Sequence, residues 1–154
     1  MTNIRGFVAD TEVYVNNIGY IKITDLKKAD VLKFNVKDFR FLRMGMESTV
    51  EKSGENKELV EVQYMLDEEA VWSVKCTPDT EFLVMSRTDV YFNSKEQKLD
   101  WVKARNLTEG TALVYDGFVI GLPIRIKSVK ALEEKLDVYS LTDNFTTRAG
   151  VVVR

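Results

Sequence analysis

Hydrophobic and polar positions alternate along this chain in short runs, and few segments follow the period of a helix. Leu59, Glu61, Gln63 and Met65 alternate with Val60, Val62 and Tyr64, which makes one face apolar and the other mixed. That two-residue period predicts half-buried antiparallel strands. Further runs rich in β-branched and aromatic residues lie at 12–15, 31–36, 58–65, 71–75, 81–85, 111–115, 123–129 and 138–141. Gly19, Gly54, Gly110, Gly117 and Gly121 punctuate them, and the polar stretches 51–57 and 87–98 read as exposed loops or hairpin tips. Helix is expected only as short pieces around 24–28 and 102–107, the first capped by Thr24 followed by Asp25. The pattern predicts an all-β chain.

An internal echo organises it. Residues 21–34 lie over residues 102–115 without a gap, so that Leu26 meets Leu107, Ala29 meets Gly110, Leu32 meets Leu113 and Phe34 meets Tyr115. Each copy reads as a strand end, one helical turn holding a buried Leu, a tight turn and a strand. Two pseudo-symmetric halves around one core are expected.

Composition narrows the chemistry. The 154 residues include 22 Lys+Arg against 24 Asp+Glu, one cysteine, two prolines and no histidine. At this length a single domain buries roughly two-thirds of its unfolded surface. Without histidine there is no Cys/His zinc site, no Ser-His-Asp triad and no His-bound iron, and a lone Cys76 makes no internal disulfide. No metal and no cofactor are expected. A formal net charge of -2 supplies no basic field for nucleic acid. The first residues lack a signal-peptide apolar run, and nothing approaches the ~20 apolar residues that span a bilayer. A cytoplasmic monomer without membrane or nucleic-acid partners is the expectation.

Four stretches, in order, resemble the blocks of the Hint fold, the module of inteins and hedgehog autoprocessing domains. Gly6-Phe-Val-Ala-Asp-Thr-Glu-Val-Tyr-Val15 is similar to the N-terminal block, which begins with a Cys or Ser nucleophile. The two echo segments resemble the family's repeated apolar-Lys-x-x-x-Leu-x-x-Gly-Asp-x-Val pieces. Val74-Lys-Cys-Thr-Pro-Asp-Thr-Glu-Phe-Leu-Val84 is similar to the block carrying Thr-x-x-His. Val138-Tyr-Ser-Leu, Asp143-Asn-Phe145 and Gly150-Val-Val-Val-Arg154 resemble the C-terminal block, with its Val-Tyr-Asp-Leu, His-Asn-Phe and Gly-Ile-Val-Val-His-Asn. The resemblance implies a horseshoe-shaped, pseudo-two-fold Hint domain over residues 6–154, with 1–5 as an upstream flank remnant or tag. There is no room for an endonuclease insert, so it implies a minimal intein. The stretch 115–118 falls where many split inteins divide, so a fused split intein is also open.

By that resemblance the chemistry is autocatalytic protein splicing. A nucleophile at the first position attacks the preceding carbonyl, Thr and His of Thr-x-x-His polarise the scissile amide and protonate its nitrogen, the acyl group passes to a downstream Cys, Ser or Thr, and a terminal Asn cyclises. The reactive positions of this chain depart from the pattern. Gly6 stands at the nucleophile position, so the Arg5-Gly6 junction has no side chain to accept the acyl group. Thr77 and Asp79 match their block, but Thr80 replaces its histidine; a hydroxyl donates a hydrogen bond without being a near-neutral acid. Asp143 replaces the histidine of His-Asn-Phe, and Ser140 the usual Asp. Arg154 takes the place of the penultimate histidine or, in a gapless register, of the final Asn. In either register the cyclising Asn is not among the 154 residues.

The resemblance therefore implies a single-turnover splicing element that is inactive as written, with flanking extein polypeptides in cis, or a complementary split half, as partners. Two histories remain open: an active intein disarmed at Gly6 and at its last Asn, or a naturally decayed Hint domain kept as a protein-binding or structural module. A hydrolase using carboxylates alone is a third class, without a paired-carboxylate constellation to support it. Other residues have structural readings. Cys76 is expected to be a buried thiol, Trp72 and Trp101 to pack in or against the core, and Asp67-Glu68-Glu69 to form a solvated hairpin tip. Asp79 and Asp143 are open between turn or cap roles and acid-base chemistry in place of the lost histidines.

Overall fold

A computed structural model describes residues 4–44 and 47–154. Of residues 1–5, expected as a flank, Met1, Thr2 and Asn3 lie outside the described residues, whereas Ile4 packs on a small cluster of Val8, Leu59 and Val138. Among the described residues the regular structure is strands and three short 3-10 turns. The strands are β1 (Glu12–Val15), β2 (Gly19–Lys22), β3 (Lys28–Asp30), β4 (Lys33–Asn35), β5 (Arg40–Leu42), β6 (Glu47–Asp67), β7 (Ala70–Cys76), β8 (Glu81–Met85), β9 (Leu99–Lys103), β10 (Ala112–Leu113), β11 (Ile124–Leu141), β12 (Phe145–Thr146) and β13 (Val152–Val153).

The main sheet runs β12-β13-β8-β10-β11-β6-β3, with β7 also on β6 and β9 also on β8, while β1-β2 and β4-β5 form separate hairpins. Every pairing between these strands is antiparallel. The alternation at 58–65 lies within β6, where Val60, Val62 and Tyr64 are buried, as is Leu59 from the opposite face. The core is continuous from Val13 and Ile23 through Tyr64 and Phe82 to Val151, Val152 and Val153.

The echo is a real repeat. Ile23–Asp25 and Ala104–Asn106 form matching 3-10 turns, each preceded by a Lys (Lys22 or Lys103) and followed by a Leu (Leu26 or Leu107) in extended conformation. Leu26 and Leu107 close them by donating to Ile23 O and Ala104 O. Both leucines are buried. The match extends to hairpins β1-β2 and β8-β9, where Glu12 faces Lys22 and Glu81 faces Lys103. Even the side-chain decoration repeats: Arg148 pairs with Glu12 over the Tyr20 ring, and Arg154 pairs with Glu81 over the Trp101 ring.

Three local expectations need correction. Residues 51–57 are not a loop but part of β6, which pairs with β11 as far as Leu141 opposite Val50. This part is polar because the paired segments are largely solvent-exposed, and hydrogen bonding to a partner strand does not require apolar side chains. The helical pieces shrink to three-residue turns, too short for an α-helical ladder. Thr24 does not cap the first; Lys22 occupies that position without a side-chain bond, and Thr24 Oγ1 donates to Ala9 O instead. The tip at Asp67 is as read, with its carboxylate accepting from Glu69 N and Ala70 N.

Candidate functional site

The β7-β8 connection and the segment entering at residue 4 meet at Gly6. Phe7 N and Tyr139 N exchange bonds with each other's carbonyls at 2.8 Å, and Phe7 also bridges Cys76, which seats residues 4–7 between β11 and the end of β7. Thr77, which directly precedes Pro78 in the turn that follows β7, donates its backbone N–H to Gly6 O at 3.0 Å. Its hydroxyl donates to Ile4 O at 2.6 Å. The Gly6 N–H in turn donates to Thr80 Oγ1 at 2.9 Å.

Counting protons orders this network. Each hydroxyl has one hydrogen. Thr77 has committed its own to Ile4, so in the 2.9 Å contact between Thr77 Oγ1 and Thr80 Oγ1 the donor is Thr80. The same Thr80 hydroxyl lies 3.1 Å from Gly6 O. Thr80 is wholly buried and Thr77 nearly so. Thus both hydroxyls touch the backbone on either side of the Arg5-Gly6 amide, and Thr80 holds its nitrogen.

Cys76 is fully buried beside Thr80, and burial pushes its thiol up to about 12 despite the opposite influence of the neighbouring Thr80 hydroxyl. A thiol held protonated at neutral pH is a poor nucleophile. The structural reading of Cys76 fits this environment.

The chain's two ends converge on one carboxylate. Arg5 Nη1 and Arg154 Nε each lie 2.9 Å from Glu81 Oε1. The Glu81 backbone pairs with Arg154 as well, N to O in both directions at 2.9 Å. Glu81 was not among the residues expected at the site; its only sequence signal is its place directly after Thr80.

Asp79 and Asp143 are less intimately placed. Asp79 Oδ1 lies 3.1 Å from Arg105 and 3.5 Å from Lys103, close enough for ion pairing but without hydrogen-bond alignment to either. It shares a small cleft with Arg5, Glu81 and Arg154. Asp143 is exposed, accepts from Asn144 N at 2.8 Å and lies 3.9 Å from the buried Lys33 Nζ. It borders the clefts that Arg154 also lines. Its neighbour Asn144 clamps β4 by accepting from Phe34 N at 2.8 Å and donating to Phe34 O at 3.0 Å. Gly150 closes the last turn at φ +75°, with Asp116 backbone 3.1 Å from where a Cβ would stand, so this position needs glycine.

The arrangement holds the Arg5-Gly6 amide at its nitrogen and by the Ile4 and Gly6 carbonyls on either side, and it brings the segment before Gly6 beside the last strand. Among the described residues no group of Cys, Asp and Glu is arranged to hold a metal ion, and no helix is long and apolar enough to cross a membrane.

Comparison with known proteins agrees at the level of fold. No family model matches the sequence, and no curated protein matches it. Solved structures do. A DnaB intein from Synechocystis sp. PCC 6803 superposes with a TM-score of 0.69 at 17% identity, covering 97% of each chain. The PabCDC21-1 intein gives 0.72 at 17% identity, covering 99% of this chain and 98% of its own. A bacterial intein-like domain from Clostridium thermocellum gives 0.66 at 20% identity, covering 97% of each. The chain is an all-β domain with the Hint fold. It is the fold of the minimal inteins, matched over almost the whole length on both sides.

Proposed function

We propose that this chain is an intein-type protein-splicing domain over residues 6–154, acting on polypeptide that flanks it in cis, with its upstream junction at the Arg5-Gly6 amide. The observation that carries the reading is the contact of Thr80 Oγ1 with the Gly6 nitrogen at 2.9 Å, in a site where Arg5 and Arg154 share Glu81. Splicing requires both junctions to react within reach of one another, and held geometry of this kind lowers the entropic part of the barrier. Residue 6 itself cannot form an ester or thioester, so acyl transfer to that side chain is disarmed. In this reading Thr77 and Thr80 hold the junction amide in place, Arg154 positions the downstream end, and Asp79 and Asp143 organise the surrounding charge.

A second reading, a decayed Hint domain serving as a binding or structural module, has one observation in its favour. A Cβ on Gly6 would stand 2.4 Å from Ser53 Oγ and 2.9 Å from Val138 Cβ, so the volume of a residue-6 side chain is already filled. A site simply disarmed by truncating its nucleophile would leave that volume open.

The test places the chain between two reporter proteins, with Asn-Ser added after Arg154 and Gly6→Cys introduced together with Ser53→Gly and Val138→Ala to make room. Ligated reporters, or cleavage at either junction, support splicing. An intact precursor around a domain that still melts cooperatively supports the decayed module.

A further inference from the structure

Resting on the splicing reading, the crowding at Gly6 has a chemical side. The atom that fills the place of a residue-6 side chain is a hydroxyl oxygen: Ser53 Oγ, 2.4 Å from an ideal Cβ on Gly6. A side chain on residue 6 would have to displace it.

The backbone puts it there by a β-bulge. Val138 of β11 pairs with Gly54 of β6, and the next residue, Tyr139, pairs with Lys52, so Ser53 is the extra residue opposite no partner. A bulge of this kind kinks the strand and re-aims a side chain, and such bulges are frequent beside active sites. The kink falls where β11 also takes up the entering segment through the Phe7-Tyr139 bridge. Ser53 is half-buried, and its hydroxyl makes one long contact, 3.4 Å to Val138 O, at the edge of what counts as a hydrogen bond. It lines a cleft of about 460 Å³ together with Ile4, Arg5, Ser140 and Arg154. A serine that is weakly engaged, open to a cleft and pressed against the residue following the junction is placed as a nucleophile.

We propose that Ser53 is the acyl acceptor of the Arg5-Gly6 junction, in place of the side chain that Gly6 lacks. Ser53 Oγ bonds to the Arg5 carbonyl carbon, the bond from that carbon to the Gly6 nitrogen breaks, and the Ser53 proton ends on that nitrogen to give a free Gly6 amine. Thr80 Oγ1 accepts the Gly6 N–H at 2.9 Å and so holds the leaving nitrogen in place. The product is an ester between the upstream polypeptide and Ser53. Water then adds to the ester carbonyl and restores the Ser53 hydroxyl, releasing upstream polypeptide that ends in an Arg5 carboxylate.

The experiment uses the full chain with a reporter before Met1 and Gly6 retained, incubated with hydroxylamine, which captures esters as hydroxamates. Intact mass is read for a domain beginning at Gly6. Cleavage is expected in the unaltered chain and is expected to fall at least tenfold in Ser53→Ala. Ser53→Cys, close in size, keeps the site filled and should form a thioester released by a small thiol. Ser140→Ala tests the other serine of the cleft and should lose far less cleavage than Ser53→Ala. Undiminished cleavage in Ser53→Ala, or loss in Ser140→Ala instead, overturns the assignment while the junction stands. Absence of cleavage in both the unaltered chain and Ser53→Cys also overturns it. The Gly6→Cys fusion described above, which lacks Ser53, judges the splicing reading separately: cleavage there keeps it, and an intact folded precursor removes it.

Discussion

The Gly6 N–H and the Thr80 hydroxyl oxygen are joined by a 2.9 Å hydrogen bond across 74 positions of sequence. Thr80 stands where the related splicing block carries its histidine. In the proposed splicing reading the hydroxyl keeps the histidine's place at the junction nitrogen while lacking its titration near neutral pH.

Replacing Thr80 by Val removes the acceptor for a buried amide and leaves the shape almost unchanged. Thr80→Val should cost about 1–3 kcal/mol, the penalty of an unpaired buried donor, while Thr80→Ser should retain most of the stability. Urea titration of the two variants checks this.

Stability should fall steeply in alkali. Burial raises the Cys76 thiol from its ordinary 9.0 to about 12, and burial raises the Tyr64 phenol in the same direction. Because the folded pKa is the higher one, the contribution of each is fully present below the unfolded value and is lost as pH rises through the folded value. For Cys76 the window is pH 9 to 12, with a slope of about 1.4 kcal/mol per pH unit. Denaturant melts across that range should steepen as predicted, and Cys76→Ala should flatten the profile. At neutral pH the thiol should resist alkylation until the chain unfolds.

Glu81 draws Arg5 and Arg154 together, but both guanidiniums are well exposed, with side chains 45% and 39% accessible. Each bridge alone is therefore worth about 1 kcal/mol or less. Glu81→Gln should lower the melting temperature in dilute buffer, and the difference from the unaltered chain should shrink in about 1 M salt, where screening is strong.

Asn144 holds both backbone groups of Phe34 from a buried position. Asn144→Ala should cost about 2–3 kcal/mol by leaving both without partners. Asn144→Asp keeps the acceptor for Phe34 N and should recover part of the loss, which thermal melts can resolve.

Much of this was readable in the chain. The echo of 21–34 in 102–115 became two matching turns because each copy carries the same buried leucine at the same step. Thr77 and Thr80 were placed by their block, and the fold brings both to Gly6. The polar half of β6 escaped notice because a largely solvent-exposed paired strand needs no apolar alternation. Ser53 escaped for a related reason: a bulge is a two-against-one register, set jointly by β6 and β11, and neither strand shows it alone. The convergence of Arg5 and Arg154 on Glu81 is likewise a long-range consequence of topology.

The most direct test is the intact mass of the domain excised from the two-reporter fusion carrying Gly6→Cys, Ser53→Gly, Val138→Ala and the appended Asn-Ser. Splicing predicts a species that begins at residue 6 and ends in a cyclised Asn, one water lighter than the hydrolysed form, alongside ligated reporters. A folded precursor that stays whole, or one cut only within the exposed segment 87–98, would contradict it.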